Sequence, residues 1–432
     1  MTGDPMTGDA MTGGSTTAVP TSGVPASAAC RGCGGHDLVR VLDLGETPLA
    51  NALLTNDALD APEARFPLDL AICPACSLVQ ITTSVPPERL FADYAYFSSY
   101  VPGVVANAEE LAKQVLEERQ LGPDNLVMEI ASNDGYLLRH YVDAGVPVLG
   151  IDPAANIAEV AEQNGVPTVC DFFGDAVATR LRAEGRRADV IHANNVLAHV
   201  PDPNGVVRGI ELVLADNGVA IIETPYVRDL VEDVEFDTIY HEHLFYYSLT
   251  SLQHLFERNG LELVEVSHIP IHGGSLRVTA GLAGRAQPSA AVTQLLADEA
   301  AIGLTAAPYY QDFAARVDRL CESLRALVQD LHADGKRVAC YGAAAKGATM
   351  LNTLKLPAEV FDFVVDRSPV KQGRYMPGVH LEIVSPERLL ESMPDYLLLL
   401  AWNFAEEIME QQAEYARKGG RFIVPVPEPV VH

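Results

Sequence analysis

The chain has 432 residues, 48% of them apolar and 20% charged, which is enough for several buried cores and rules out wholesale disorder. Its 30 Lys and Arg stand against 58 Asp and Glu, a net charge of −28 that repels phosphate backbones and anionic lipid headgroups, so no nucleic acid and no membrane is expected as a partner. No apolar run approaches the ~20 residues of a bilayer span, and the first residues lack the basic and hydrophobic segments of a secretory signal; a cytoplasmic protein is expected.

Residues 1–29 repeat Met-Thr-Gly at Met1, Met6 and Met11 and continue through Ser, Thr, Ala and Pro, a composition expected to form a disordered tail. Cys30-x2-Cys33 and Cys73-x2-Cys76 follow, two pairs separated by 39 residues. Two thiolates three positions apart on a tight turn grip one metal, and two such knuckles complete a tetrahedral four-sulfur zinc site. Gly32, Gly34, Gly35 and Pro74 allow the turns. The alternatives are disulfides, which a reducing cytoplasm disfavours, or a redox CxxC, which needs no second copy. One structural zinc ion on Cys30, Cys33, Cys73 and Cys76 would hold together a small module over residues 30–80 and leave no open position for catalysis. Cys170, Cys321 and Cys340 have apolar sequence neighbours and are expected in the core.

A bridge rich in aromatic and hydroxyl groups, Asp93 to Tyr100, leads into a predicted helix, Val104–Arg119. Short apolar strands are predicted at Leu126–Ile130, Val148–Ile151, Asp189–Ala193 and Val219–Glu223, with helical spacing between them. That is the signature of a parallel sheet, here in a domain over residues 81–285. The first strand runs through Glu129 into a loop of small residues containing Asn133 and Gly135, and Asp152 closes the next strand 17 residues after Gly135. A carboxylate in that place can accept both hydroxyls of a ribose. The loop lacks GxGxxG and so has no pyrophosphate cradle, which fits an adenosine ligand without phosphates, above all S-adenosylmethionine. Asp171 and Phe172 follow the third strand and could meet an adenine; Asn194 and Asn195 end the fourth, at the carboxyl edge where ligands of such sheets bind. The plain alternative is that Asp152 caps a helix and the two asparagines make a turn. The four features in this order predict a class I, Rossmann-like methyltransferase fold.

Tyr240-His-Glu-His-Leu-Phe-Tyr-Tyr247 is the densest polar–aromatic group in the chain and falls where an active-site loop of this fold would lie. An imidazole suits proton transfer near neutral pH. A phenol three residues away can share its proton, and an adjacent carboxylate can orient a substrate hydroxyl or amine. His199 and His272 are further candidates. The alternatives are buried structural imidazoles, or a His-x-His chelate that has too few ligands for a metal.

From about 292 to 332 the pattern is helical, with Phe313, Val317, Leu320, Leu324, Leu327 and Leu331 in one stripe. A second α/β unit follows within a domain over residues 286–432, with strands predicted at Arg337–Tyr341, Phe361–Asp366, Tyr396–Ala401 and Arg421–Val424. Gly342-x-Ala344-x-x-Gly347 approximates a dinucleotide fingerprint, with Asp366 19 residues after Gly347. Lys346 at a helix N-terminus and Arg367, Lys371 and Arg374 beyond it suit a phosphate-bearing substrate; the alternatives are a solvated charged loop or an NAD site.

The doubled CxxC, Glu129-Ile-Ala-Ser-Asn-Asp-Gly135, Tyr240-His-Glu-His243, His272-Gly-Gly-Ser275 and Gly342…Lys346-Gly347 together resemble the sugar C-methyltransferases of bacterial deoxysugar biosynthesis, a family that includes a tetronitrose C-3′-methyltransferase. The similarity covers about residues 30–425, and the Met-Thr-Gly tail has no counterpart in it. The resemblance implies a zinc-binding N-terminal domain, an S-adenosylmethionine-binding middle domain and a C-terminal domain like the middle one, with a TDP-linked 4-keto-deoxysugar in the cleft between them. It further implies His243 as general base paired with Tyr240, Glu242 as a substrate-contacting carboxylate, and His199 and Tyr94 as active-site residues. His272, Lys346, Arg367 and Arg374 are the expected substrate-binding groups, and a monomer or weak dimer is the expected state. The rivals are an NAD-dependent oxidoreductase acting on a nucleotide sugar and a non-catalytic zinc scaffold.

Overall fold

The computed structural model describes residues 28–86, 97–100, 102–271 and 273–432. Tyr94, His272 and nearly all of the expected tail lie outside the described residues. Three sheets organise the rest. The first is antiparallel: β1 (Val39–Pro48), β2 (Arg65–Ile72) and β3 (Val79–Ile81). Leu42 and Leu44 of β1 are buried and flank exposed Asp43, the two-residue alternation of a sheet with one solvated face. A fourth strand completes it from far along the chain: β9 (Phe245–Tyr246) pairs antiparallel with β3.

The second sheet is built from β4 (Val127–Ile130), β5 (Val148–Ile151), β6 (Thr168–Val169), β7 (Ala188–Asn194), β8 (Leu214–Pro225), β10 (Leu261–Ile269) and β11 (Ser275–Leu282). Its order is β10-β11-β8-β7-β4-β5-β6. Strands β4 to β8 are parallel, and β11 runs antiparallel between β8 and β10. Every residue of β4 and β5 is buried, as continuous apolar runs in a doubly covered sheet require. The connection reverses direction between β4 and β7, which opens a crevice at their carboxyl ends.

The third sheet is built from β12 (Val338–Tyr341), β13 (Val364–Val365), β14 (Ile383–Val384), β15 (Tyr396–Leu399), β16 (Arg421–Val424) and β17 (Val430–Val431), in the order β14-β13-β12-β15-β16-β17 with only β17 antiparallel. Two predicted strands shorten: Phe361–Asp366 pairs only over β13, and Tyr396–Ala401 ends at Leu399, where the backbone turns towards Trp402. Cys170 is exposed rather than in the core, because β6 is a two-residue edge strand and its end reaches solvent. Cys321 and Cys340 are buried.

The helical region from 292 divides into Ala290–Ile302 and Phe313–Ala333, the first ended by Gly303 in the left-handed conformation (φ 77°). In the second, Phe313, Val317, Leu320 and Leu324 are buried together with Cys321 and Val328, while Leu327 and Leu331 sit at the margin. The first helix packs on β10 and on helix Leu249–Arg258 of the second unit, although the expected boundary at 285 assigns it to the third. Its fully buried Glu299 accepts four hydrogen bonds, from Tyr226 Oη (3.0 Å), Leu249 N (2.7 Å), Thr250 N (2.9 Å) and Thr250 Oγ1 (2.6 Å). A carboxylate on the first N–H groups of a helix satisfies donors that the helix cannot satisfy itself.

Each unit touches the other two. The zinc module joins the second through β3–β9. It joins the third through a bridge between Leu54 and Tyr375, and through Glu63, which accepts from Gly378 N and lies 2.5 Å from His380 Nε2. Trp402 Nε1 donates to Asp237 Oδ2 (2.7 Å) and Thr349 Oγ1 to Ile239 O (3.3 Å), tying the third unit to the second.

Replacing Glu299 with Ala strands the amide groups of Leu249 and Thr250. The substitution is expected to lower the unfolding free energy by about 3 kcal/mol, read as a lower urea midpoint; the neighbouring exposed Asp298→Ala is expected to change it by less than about 0.5 kcal/mol.

Candidate functional site

The four predicted metal ligands converge. Their Sγ atoms all lie within 4.8 Å of one another, with Cys30–Cys76 and Cys33–Cys73 each at 3.5 Å. A tetrahedral zinc with Zn–S near 2.3 Å puts its sulfurs roughly 3.8 Å apart, whereas a disulfide needs about 2.05 Å. The donor set fits zinc, and four sulfurs leave it no open position. The knuckle is held to the second unit by Asn204, whose side-chain amide donates to Arg31 O (2.8 Å) and Gly32 O (3.2 Å).

The predicted cofactor residues gather at the carboxyl edge of the second sheet. After β4 the backbone turns sharply, with positive φ at Ala131 (53°), Asn133 (49°) and Gly135 (80°). Asp152, at the end of β5, fixes this turn: Oδ2 accepts from Asn133 N (3.0 Å) and Oδ1 from Ala154 N (2.9 Å). Among the described residues, five buried oxygens around the edge have no partner: Glu129 Oε2, Ser132 Oγ, Asp134 Oδ1, Asn194 Oδ1 and Asn195 Oδ1. Buried acceptors without donors are costly and call for a ligand that brings N–H and O–H groups. Burial pushes the Glu129 carboxyl well above its ordinary range, and the neighbouring carboxylates of Asp152, Asp134 and Glu223 push it further. Such a cluster complements a cation. S-adenosylmethionine, with a sulfonium, an ammonium and ribose hydroxyls, fits both requirements. Ser132 and Asp134 were not singled out in the sequence, although both lie inside the loop that was. Asp171 and Phe172 lie at the rim: Asp171 is 3.4 Å from Arg180 Nη2, and Phe172 is 59% exposed.

The Tyr240–Tyr247 segment crosses the same edge. Leu244 N donates to Ala198 O (2.7 Å), beyond the end of β7, and Leu244 O accepts from Ile81 N (3.1 Å) of the zinc module. Side chains of the segment divide between the two sides. His241 Nε2 donates to Pro67 O (3.2 Å), and Glu242 Oε1 accepts from Asn51 Nδ2 (3.1 Å); both partners belong to the zinc module. Glu242 Oε2 is buried without a partner among the described residues, and burial raises this carboxyl. Tyr240 and His243 form a pair, phenol oxygen to Nε2 at 2.7 Å with ring centroids 4.0 Å apart. His243 Nδ1 lies 2.9 Å from Thr238 O. A carbonyl oxygen only accepts, so Nδ1 carries a proton; when the ring is neutral, the Nε2 lone pair faces the Tyr240 hydroxyl. The His199 ring is 4.8 Å from that of His243, and its Nδ1 likewise donates to Glu242 O (2.9 Å). Burial drops His199 to about 4, so it is neutral at pH 7. Asn51 and Thr238 escaped sequence reading because they act through a remote side chain and a backbone oxygen.

The third unit repeats the backbone device of the second. Asp366 Oδ2 accepts from Ala343 N (2.8 Å) and Oδ1 from Ser368 N (2.8 Å), matching Asp152 bond for bond. Here the acid also lies 3.6 Å from Lys371 Nζ, which donates to Ala343 O (2.8 Å). The glycines of the approximate fingerprint are accounted for by packing: a Cβ on Gly342 would press on Ala401, and one on Gly347 on Leu400 and Gly342 O. The predicted phosphate cations do not come together through any shared partner. Lys346 Nζ donates to Asn403 Oδ1 (2.9 Å) and lies 4.4 Å over the Trp402 ring, whereas Arg367 reaches Gln411 (3.3 Å) and Arg374 is half-buried in the turn at Lys371.

Residues 30–91 match a zinc binding domain family, residues 105–266 a methyltransferase domain and residues 270–427 the family described as the C-methyltransferase C-terminal domain. The chain is 38% identical over 403 residues to C-methyltransferase NovU of Streptomyces niveus, covering 93% of this chain and 96% of that protein. A ubiquinone biosynthesis O-methyltransferase of Serratia proteamaculans (strain 568) is 26% identical over 103 residues, 23% of this chain and 43% of its own length. Among solved structures, magnesium protoporphyrin IX methyltransferase from Synechocystis PCC 6803 with bound S-adenosylmethionine aligns with 41% of this chain and 79% of its own, at 14% identity and a TM-score of 0.32.

Metal analysis is expected to find a single zinc ion per chain, and Cys73→Ser to lose it and melt at a lower temperature; full zinc in that variant would remove Cys73 from the ligand set. His199 gives a pH prediction. The unfolded chain protonates this imidazole below about 6.5, the folded chain only near 4. Stability is therefore present above 6.5 and is lost as the pH falls towards 4, at up to about 1.4 kcal/mol per pH unit. Unfolding free energy measured between pH 6.5 and 4.5 should fall less steeply in His199→Gln than in the wild type.

Proposed function

The chain belongs to the S-adenosylmethionine-dependent C-methyltransferase family, and from that premise we propose that it methylates a ring carbon, C-3 by first choice, beside the 4-keto group of a TDP-linked deoxysugar in antibiotic deoxysugar biosynthesis. The observation that carries the reading is the Tyr240–His243 pair, an imidazole whose Nδ1 faces Thr238 O and whose Nε2 lies 2.7 Å from the phenol oxygen. A carbon beside a ketone gives up its proton only to a base held in place, and a neutral imidazole is suited to the task near pH 7.

In this mechanism His243 Nε2 is the base, and Tyr240, already hydrogen-bonded to it, relays the proton from the carbon α to the ketone. Glu242 offers its unpartnered oxygen to a donor on the sugar, and Asn51 of the zinc module fixes the other oxygen. His199 packs on the base at its ring edge and, being neutral, adds no positive charge that would lower the basicity of His243. S-adenosylmethionine, when bound, supplies an electrophilic methyl group on its sulfonium. Glu129, Asn133, Asp134, Asp152, Asn194 and Asn195 would hold it, and Gly135 completes the loop that Asp152 fixes. The carboxylate cluster beside Glu129 suits its charge, while Asp171 and Phe172 stand at the rim where the adenine would rest. Holding base, carbon acid and methyl donor in line contributes as much as the proton transfer itself.

Incubation with S-adenosylmethionine and a panel of TDP-4-keto-deoxysugars is expected to give a product heavier by one methylene, and in deuterated solvent without S-adenosylmethionine the α carbon of the unmethylated substrate is expected to take up deuterium. His243→Asn should lower kcat by about 10²–10⁴-fold and leave cofactor affinity unchanged. Asp152→Ala should weaken cofactor binding by at least about tenfold. Wild-type turnover in His243→Asn would remove His243 from the role of base.

A further inference from the structure

The acceptor that faces His243 Nδ1 is itself gripped from another unit. Thr238 O lies 2.9 Å from Nδ1 and ends a single helical turn, Phe236–Thr238. On one side of Thr238, the Asp237 carboxylate accepts from Trp402 Nε1 (2.7 Å). On the other, Ile239 O accepts from Thr349 Oγ1 (3.3 Å). Trp402 follows β15 and Thr349 lies on helix Ala345–Leu354, so both donors belong to the third unit. Asp237 and Ile239 are fully buried, and Thr349 is nearly so. Burial raises the Asp237 carboxyl to about 6, with the charge of Lys346 and the Trp402 N–H opposing the rise. Above that pH the indole bond is charge-assisted, hence among the stronger ones available. Lys346 also backs the indole, with Nζ 4.4 Å from the ring centroid and fixed on Asn403 Oδ1 (2.9 Å).

Which imidazole nitrogen carries the proton is set by the hydrogen bond that the other nitrogen makes. With Nδ1 released from Thr238 O, the proton is free to move to Nε2, the nitrogen that must be bare to act as a base. A carbonyl on Nδ1 also supports the positive charge that develops as Nε2 takes up a proton. We propose that Trp402 and Thr349 are positioning residues for the base: by gripping Asp237 and Ile239 from the third unit, they hold Thr238 O against His243 Nδ1 and keep Nε2 as the basic nitrogen. Neither touches the reacting atoms. Trp402 carries the larger share, because the single Thr349 hydroxyl hydrogen is divided between Ile239 O and Ala345 O of its own helix, both at 3.3 Å. Among the described residues, the rings beside His243 are those of Tyr240, His199 and Tyr246, none of them in the third unit. Substitution of Trp402 or Thr349 therefore removes no titratable neighbour of the base. The inference rests on the reading of His243 as the base of C-methylation.

The test is long-range proton–nitrogen NMR on the full-length zinc protein with labelled histidines, above neutral pH, the His243 signals being identified by their loss in His243→Asn. The wild type should show a protonated Nδ1 and a bare Nε2. Trp402→Phe keeps a ring and loses the N–H; it should populate the opposite tautomer and lower kcat by about tenfold or more, with substrate KM and S-adenosylmethionine affinity unchanged. Thr349→Val should act in the same direction to a smaller extent, and Thr349→Ser, which keeps the hydroxyl, should match the wild type. Glu63→Gln loosens the third unit at its other seam and should leave the His243 signals in place. Wild-type His243 signals in Trp402→Phe overturn the proposal whatever happens to kcat. A tautomer shift of equal size in Glu63→Gln also overturns it, since general loosening would then suffice. The spectra need no substrate, so the two readings separate. Methyl transfer without a tautomer shift in Trp402→Phe sinks the grip alone. A shift in that variant beside a wild type that methylates no keto sugar supports the grip and sinks the reaction instead.

Discussion

The peptide of Leu244 is hydrogen-bonded on both sides, its N–H to Ala198 of the second unit and its carbonyl to Ile81 of the zinc module. That one residue fixes the height of the whole Tyr240–Tyr247 segment above the sheet edge. On this segment His243 and Tyr240 pair with each other, while His241 Nε2 and Glu242 Oε1 bond to the module. The Cys30 and Cys73 knuckles flank β3, and β3 is the strand that receives β9. A metal with no open coordination position is thus connected to the placement of the base by a single strand pairing.

Features carried by local signals were legible in the sequence. The four cysteines, the apolar runs of β5 and β16, the helix Pro102–Arg119 and the Asp152 turn each depend on residues within about one element of each other. What was not legible depends on distant partners. Nothing in Phe245-Tyr246 announces a strand, because two residues become one only when β3 lies beside them. Glu299 reads as one more acid on an amphipathic helix, yet it is the fully buried clasp on helix Leu249–Arg258. Cys170 departs from the expected core for the complementary reason: its neighbours in sequence are apolar, but its strand is at an edge. In the candidate site the titratable residues were visible as types. The proton positions on His243 and His199 were not, since backbone oxygens set them.

Asp152 and Asp366 show one backbone solution used twice. In each unit an acid at the end of the second strand accepts from the loop after the first strand and from its own residue i+2. In the second unit the loop opens onto unsatisfied acceptors. In the third, Lys371 and close packing at Gly342 and Gly347 fill the corresponding space. The same fold element therefore borders buried acceptors in one copy and is crossed by a lysine in the other.

The contacts among the three units close a triangle: module to second unit at β3–β9, second to third at Asp237–Trp402, third to module at Glu63–His380 and Leu54–Tyr375. Two bodies joined at one seam can open like a book, but three bodies joined pairwise form a braced frame in which no member rotates unless two seams yield together. Opening any one seam of such a frame strains the other two, which favours small, concerted loosening over a hinge. Stiffness at any one corner, the zinc corner included, then governs how quickly the whole enclosure can breathe.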